Sequence, residues 1–503
     1  MHKKTLKNSF FFNTSIIIIS GFIIKILGLI NKIIITRFLG TNGMSIYIMT
    51  FPTLILFLNI ATLNINNSVS KMIAEANITN NYSPKIIINK ALKITLISSI
   101  CTCILLLIII NPLTNNFLKN PLLKYPLLTS LILIPLTCIS DVLKGYYNGL
   151  KQITKTTIAN IIEQISRITF TILSLIILKP YGIILSATFT ILALSIGELI
   201  SVIYLIIQIK RESKTFSNNN KLSQNIPNNN PTRKLLSLAI PTTLSKLIGS
   251  FTYFLEPIVY TYILTKLNYD NNLIQTNYTI INAYSLPLLT TASFISIALA
   301  TSVIPSISEN YALKRTKSIN YLIDKVILFS FIPSILVSIL LFFYPNELMK
   351  LIYGTTEGTS FIKPFVFFFL LYYLQMPFSA ILQAIGKTKT PFIFSTIYSL
   401  LRIILIIVLS YIPSINVNSI FYAILITMIL HSITIIILVI KYTNYKLHSS
   451  NLLSLLLITI ITFGLLFILN HIINNFLINS IIISLIYLFL NYSFNLIDIK
   501  SLK

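Results

Sequence analysis

Acidic residues are what this 503-residue chain has least of. It holds 12 Asp and Glu against 38 Lys and Arg, and charged residues of both signs make up 10% of it. An ordinary globular chain carries roughly 25%. The deficit argues against a soluble enzyme and against a disordered protein. Cysteine is almost absent. Cys101, Cys103 and Cys138 all fall inside apolar stretches, which supports neither a disulfide framework nor a zinc site and leaves them as small packing residues. Also missing are a Walker phosphate loop, a cluster of metal ligands and a catalytic dyad of workable spacing, so no enzyme activity, cofactor or metal is expected. No small-residue cleavage site ends the apolar run behind Lys3, Lys4 and Lys7, so that run reads as a first span rather than a removed signal.

What is there is apolar. Hydrophobic residues make up 55% of the chain, and its mean hydropathy is +0.84. Apolar runs of 18 or more residues recur throughout, the mark of a polytopic α-helical membrane protein. They are continuous rather than alternating with period two, which excludes an outer-membrane barrel. Fourteen spans are expected, at about 10–36, 44–66, 90–111, 125–147, 157–178, 182–208, 235–263, 277–304, 321–344, 363–384, 391–412, 418–440, 452–470 and 476–495. Of the 38 basic residues, 26 fall at the N-terminus and in every second loop after it, at the C-terminus, or close beside them, and seven on the opposite side. Cytoplasmic loops carry such an excess, so both termini are expected in the cytoplasm. The net charge of +26 is then mainly a topology signal, and nucleic acid is not an expected partner.

The chain repeats itself weakly. Residues 149–168 align without gaps to 384–403, with Ile158, Ile162, Arg167 and Ile168 recurring as Ile393, Ile397, Arg402 and Ile403. Lys25-Ile-Leu-Gly28 recurs as Lys246-Leu-Ile-Gly249, and Ser68…Glu75 as Ser302…Glu309. The implied fold is all-α: two parallel six-helix repeats followed by two more helices. The expected divisions are an N-lobe over 1–210, a polar linker over 211–234, a C-lobe over 235–445 and the last helices over 446–503. An even number of helices per repeat gives both halves one orientation, so an axis along the membrane normal would relate them around a central cleft.

Five basic residues lie inside expected spans: Lys25, Lys32, Arg167, Lys246 and Arg402. Each would cost about 2.5–3.5 kcal/mol near a helix centre on insertion scales, so all five are not expected to face lipid. Lys25 and Lys32 are seven residues apart and share a helix face, about 10 Å apart along it. Their acidic and polar counterparts are few. Glu163 stands one turn before Arg167, either as a private pair or as part of a cavity. Glu198 lies within the sixth span, Glu256 is expected near the outer interface, and Gln164 is expected to bond between helices. His431 reads as a hydrogen-bonded packing residue. A cleft richer in cations than in anions selects an anionic substrate, and pyrophosphate, with paired phosphates, suits several Lys and Arg donors.

The residues carrying a family resemblance run in order from about residue 10 to 390. They include Lys25-Ile-Leu-Gly28-Leu-Ile-Asn-Lys32, Arg37-Phe-Leu-Gly40, Lys144-Gly-Tyr-Tyr-Asn-Gly149 with Ile162-Glu163-Gln164-Ile-Ser-Arg167, and Pro241-Thr-Thr-Leu-Ser-Lys246-Leu-Ile-Gly249. Phe254-Leu-Glu256-Pro257 and Phe369-Leu-Leu-Tyr-Tyr-Leu-Gln375 continue the series. In these the chain resembles the polysaccharide-transporter branch of the multidrug/oligosaccharidyl-lipid/polysaccharide flippase superfamily, in its sporulation-protein group. The resemblance implies a V-shaped two-lobed bundle that flips an undecaprenyl-pyrophosphate-linked saccharide, a lipid II-like peptidoglycan precursor for the spore cortex. Lipid II flippases also carry basic residues in their first helix, the second about one position earlier than Lys32. Rival readings are a cation-coupled multidrug exporter on the same fold, which would rely on Glu163, Glu198 and Glu256, and a non-transporting accessory that recruits cell-wall synthesis enzymes. A membrane glycosyltransferase would need a larger outer loop than the one at about 345–362.

Overall fold

A computed structural model describes residues 2–79, 82–217, 231–446 and 449–496. The described chain is helical throughout and contains no strand. Among the described residues, twelve helices are long and apolar enough to cross a membrane. Counting one bent pair, Asn271–Leu289 with Ser293–Ala312 at 58°, makes thirteen. The count of fourteen is not reproduced, and the difference lies at the start. Gly21–Ala76 is taken as one 56-residue segment, which at 1.5 Å per residue would run about 84 Å if straight. That is well beyond the roughly 30 Å of bilayer hydrocarbon. The first two expected spans lie on either side of Gly40, whose φ of 60° and ψ of −172° break the helix there. The low-complexity stretch around Pro227 lies outside the described residues.

The helices pack as two compact units. The first comprises Met1–Thr279 with Ile406–Val417, and the second Ile280–Leu405 with Asn418–Lys503. The first unit holds α1 (His2–Thr62), α2 (Ile65–Thr79), α3 (Pro84–Pro112), α4 (Lys124–Gly149), α5 (Ile153–Leu178), α6 (Ile183–Ser217), α7 (Thr232–Lys266) and α8 (Asn271–Thr279). Here α6 packs on α4 and α5, α2 on α4, and α1 on α5 and α7. This grouping differs from the repeat-based division, because α7 packs against α1 and α2.

The second unit holds α9 (Leu286–Leu289), α10 (Ser293–Ala312), α11 (Thr316–Phe343), α12 (Pro345–Tyr353) and α13 (Tyr372–Ala384). It continues with most of α14 (Lys389–Ser410), then α15 (Ser419–Thr443), α16 (Ser449–Ile472) and α17 (Phe476–Ser493). Its core forms where α13 packs on α10 and α15, around Ile323, Phe378, Ile381 and Val439. Large apolar side chains on the outside, such as Ile108, Ile177, Ile460 and Phe489, suit a lipid surround.

Sequence chemistry explains the joints. Pro84 opens α3, where its missing N–H leaves no bond unmade. Asn475 caps α17 by accepting from the backbone N–H of Leu477 and Ile478. Gly145 and Gly149, one turn apart on α4, let α2 come close. A Cβ at Gly145 would meet the Asn66 carbonyl at 2.7 Å, and one at Gly149 the Ser70 carbonyl at 2.7 Å.

The helices α4 and α13 end in similar turns. At the end of α4, Gln152 N–H reaches the Tyr147 carbonyl at 2.9 Å and Lys151 takes a left-handed φ of 61°. At the end of α13, Lys387 N–H reaches the Leu382 carbonyl at 2.9 Å and Gly386 takes φ 82°. Both are Schellman closures, in which one left-handed residue lets the final amides fold back onto the last carbonyls. They fall at matching positions of the 149–168 and 384–403 alignment.

Candidate functional site

Four intramembrane charges meet in the first unit. On α5, Glu163 and Arg167 are one turn apart, and an Arg167 Nη donates to a Glu163 carboxylate oxygen. Lys144, from α4, donates to the other oxygen of Glu163 at 3.1 Å and to Glu198 of α6 at 3.3 Å. Two cations and two carboxylates form a neutral chain across three helices. Gly197 makes it possible, since a Cβ there would sit 2.8 Å from the Glu163 carbonyl. The Glu163–Arg167 pair is therefore not a private one. Arg167 is bound to its expected neighbour, and that neighbour is shared with Lys144. The sequence had counted Lys144 with the cytoplasmic-side charges. Its position five residues inside the end of α4 is the signal that could have drawn it in.

Lys246 lies on α7, fourteen residues from Thr232 and twenty from Lys266, about 21 and 30 Å from its ends. Its Nζ donates to the Asn64 side-chain oxygen at 2.6 Å. Asn64 sits where α1 gives way to α2, and the break consists of two consecutive left-handed residues, Leu63 at φ 49° and Asn64 at φ 47°. Other asparagine side chains gather here: Asn67 donates to Asn64 at 3.3 Å, and Asn148 to Asn66 at 3.3 Å. A broken helix frees backbone polar groups inside the membrane, where only neighbouring polar groups can satisfy them. No Gly or Pro marks this break, so nothing in the sequence singles out Asn64.

Lys25 and Lys32 lie on α1. Lys25 is exposed and Lys32 half-buried. Among the described residues no carboxylate comes within ion-pair distance of Lys25, Lys32 or Lys246. Arg402 belongs to the second unit, where its Nε donates to Thr427 Oγ1 at 3.3 Å. Gln164 is half-buried, and its side-chain oxygen lacks a hydrogen-bond partner among the described residues. Glu256 is buried, 3% exposed, and α7 continues ten residues past it to Lys266. No group of three metal-binding side chains occurs among the described residues.

Basic side chains set into apolar helices are uncommon and point to a functional role, and sequence relatives bear on the class of protein. Residues 11–311 match the family described as polysaccharide biosynthesis protein, and residues 282–408 match the MatE family. The chain belongs to the polysaccharide biosynthesis protein family, within the flippase superfamily that also contains the MATE transporters. It is 30% identical over 426 residues to stage V sporulation protein B of Bacillus subtilis (strain 168), covering 84% of this chain and 82% of that one. It is 24% identical over 420 residues to the lipid II flippase MurJ of the same organism, covering 77% and 74%. A solved structure of the lipid II flippase MurJ in an inward closed conformation superposes with a TM-score of 0.67 at 19% identity, covering 95% of this chain and 98% of the other. The fold is therefore that of the flippases, and the chain is a multi-pass membrane transporter of that class.

Proposed function

We propose that this protein flips an undecaprenyl-pyrophosphate-linked saccharide, a lipid II-like peptidoglycan precursor, outward across the bacterial cytoplasmic membrane by alternating access. The carrying observation is that Lys25, Lys32 and Lys246 stand in membrane-spanning helices of one unit with no carboxylate at ion-pair distance among the described residues. These amines would hold the pyrophosphate, with the sugar in water and the lipid tail in the bilayer. Arg167 is neutralised by Glu163, so it would support the site rather than touch the substrate. Arg402 would act within the second unit.

Both termini would lie in the cytoplasm, and residues 1–210 and 235–445 would be the moving repeats. With the cell interior negative, outward passage of an anionic headgroup gains about 2.3 kcal/mol per charge per 100 mV. The membrane potential can then drive flipping without an obligatory coupling ion. A spore-cortex role accords with the name of the sporulation relative. A drug exporter coupled through Glu163 and Glu198 is disfavoured, since Lys144 and Arg167 already neutralise both carboxylates.

The test is reconstitution with labelled lipid-linked precursor. Wild type should flip it, and a Lys25→Ala/Lys246→Ala double variant should lose at least tenfold in rate. Equal rates would reject the site. No flipping by a well-folded wild type would favour the accessory reading.

A further inference from the structure

The bend of α1 and the corners between α3 and α4, α5 and α6, and α7 and α8 enclose an uncharged pocket within the first unit. The cavity, of about 460 Å³, is lined by the polar side chains of Asn42, Ser45, Asn120, Asn272, Gln275 and Thr276 and by four aliphatic ones. No ionisable side chain occurs among its described lining residues. In a chain with 38 basic and 12 acidic residues, such a wall favours a ligand recognised by neutral donors and acceptors. The volume falls within the range of about 300–1,000 Å³ usual for small-molecule sites.

The floor of the pocket is held by the protein itself. Lys119 takes a left-handed φ of 50°, and Asn120 after it accepts from the Leu122 N–H at 3.0 Å while its Nδ2 donates to Gln275 Oε1 at 2.7 Å. Asn120 and Gln275 are 7% and 8% exposed, so this amide pair is buried. Ser45 donates to the Asn42 carbonyl at 2.7 Å. Gly43 lets the start of α6 press against α1, since a Cβ there would lie 2.6 Å from Ile183 Cγ2.

The rim is different. Asn42 and Asn272 are exposed and Thr276 is half-buried, and their side chains make no hydrogen bond within the described protein. Asn272 uses its main-chain N–H, not its carboxamide, on the Asp270 carboxylate at 3.2 Å. A carboxamide both donates and accepts, as does a threonine hydroxyl. Sugar hydroxyls do the same, and the C–H faces of a sugar ring suit aliphatic walls. A pre-formed floor lowers the ordering cost of binding.

We propose that this pocket binds a neutral saccharide, with Asn42, Asn272 and Thr276 bonding its hydroxyls above the Asn120–Gln275 floor. With both termini in the cytoplasm, as proposed above, the pocket opens on the outer face. That sidedness rests on the proposed topology, and the binding itself does not. The sugar can be a free saccharide or the headgroup of a lipid-linked one, and the two are separable.

The full-length protein in detergent would be titrated with radiolabelled N,N′-diacetylchitobiose, a neutral disaccharide, read by scintillation proximity. Wild type should bind it saturably, with a Kd that stays within about twofold between low and high sodium chloride, because no ion pair is made. Asn272→Leu and Thr276→Val should each weaken binding about threefold or more, and Asn42→Leu/Asn272→Leu about tenfold, as expected for lost neutral hydrogen bonds. If Thr276→Val does not fold, the Asn42/Asn272 double variant carries the test, since both of its positions are exposed and its melting temperature should match wild type. A short-chain lipid-linked form of the disaccharide that displaces the label at lower concentration than the free sugar assigns the site to a carried headgroup. Equal potency assigns it to a free saccharide. Sugar binding by a protein that flips no lipid-linked precursor keeps this site and rejects the transport reading, and flipping without sugar binding does the reverse. Absence of saturable binding overturns the proposal, as does binding unchanged in every rim variant or binding that falls steeply with salt.

Discussion

Glu163 shows how much of the site depends on single residues. It accepts from both Lys144 and Arg167, so Glu163→Gln removes one negative charge from beneath two positive ones. Breaking a buried pair by removing one partner costs about 3–5 kcal/mol, whereas replacing a pair with apolar groups of similar volume is often neutral. Glu163→Gln should therefore unfold at a clearly lower temperature than Glu163→Leu/Arg167→Met, which keeps the Lys144–Glu198 contact. Thermal melts in detergent would decide it, and an equal loss in both would mean the charges act independently. At this scale the sequence was partly legible. Glu163–Arg167 could be read from one-turn spacing. Lys144 could be placed inside its helix but not paired, because its partners lie 19 and 54 residues away and meet only through packing. The Gln375–His431 contact, 56 residues apart, was hidden for the same reason.

Helices were the most legible level, because an apolar run long enough to cross a bilayer has few alternatives. Their interruptions were less so. Pro and Gly advertise a break, but Leu63 and Asn64 do not. The α2–α4 contact depends on two glycines, so Gly145→Ala should force backbone apart and lower stability by about 1–3 kcal/mol, read as a drop in melting temperature. The α4–α5 corner predicts the opposite sign. Lys151 holds a left-handed φ of 61° that costs an L-residue about 1 kcal/mol and costs glycine little. Lys151→Gly should raise the melting temperature, and a fall would show that the lysine side chain contributes more than the backbone strain removes.

For the whole molecule, charge asymmetry argues for an orientation that can be checked directly. In a cysteine-free background, single cysteines replacing Lys179 or Lys350 should react with a membrane-impermeant maleimide on intact cells. Those replacing Lys151 or Lys314 should react only after permeabilisation. The reverse pattern would overturn the assignment of both termini to the cytoplasm. The repeat shows in the sequence only as scattered identities, and the corners after α4 and α13 close alike, as do those after α10 and α17. Leu150 to Tyr146 and Lys151 to Asn148 are matched by Ile385 to Ile381 and Gly386 to Gln383, at 3.1 and 3.0 Å in both copies. A corner drafted in amides and carbonyls leaves side chains free to diverge. Kinship between the two halves can thus outlast nearly every shared letter, and distant cousins are better recognised by where their polypeptide spine bends than by spelling.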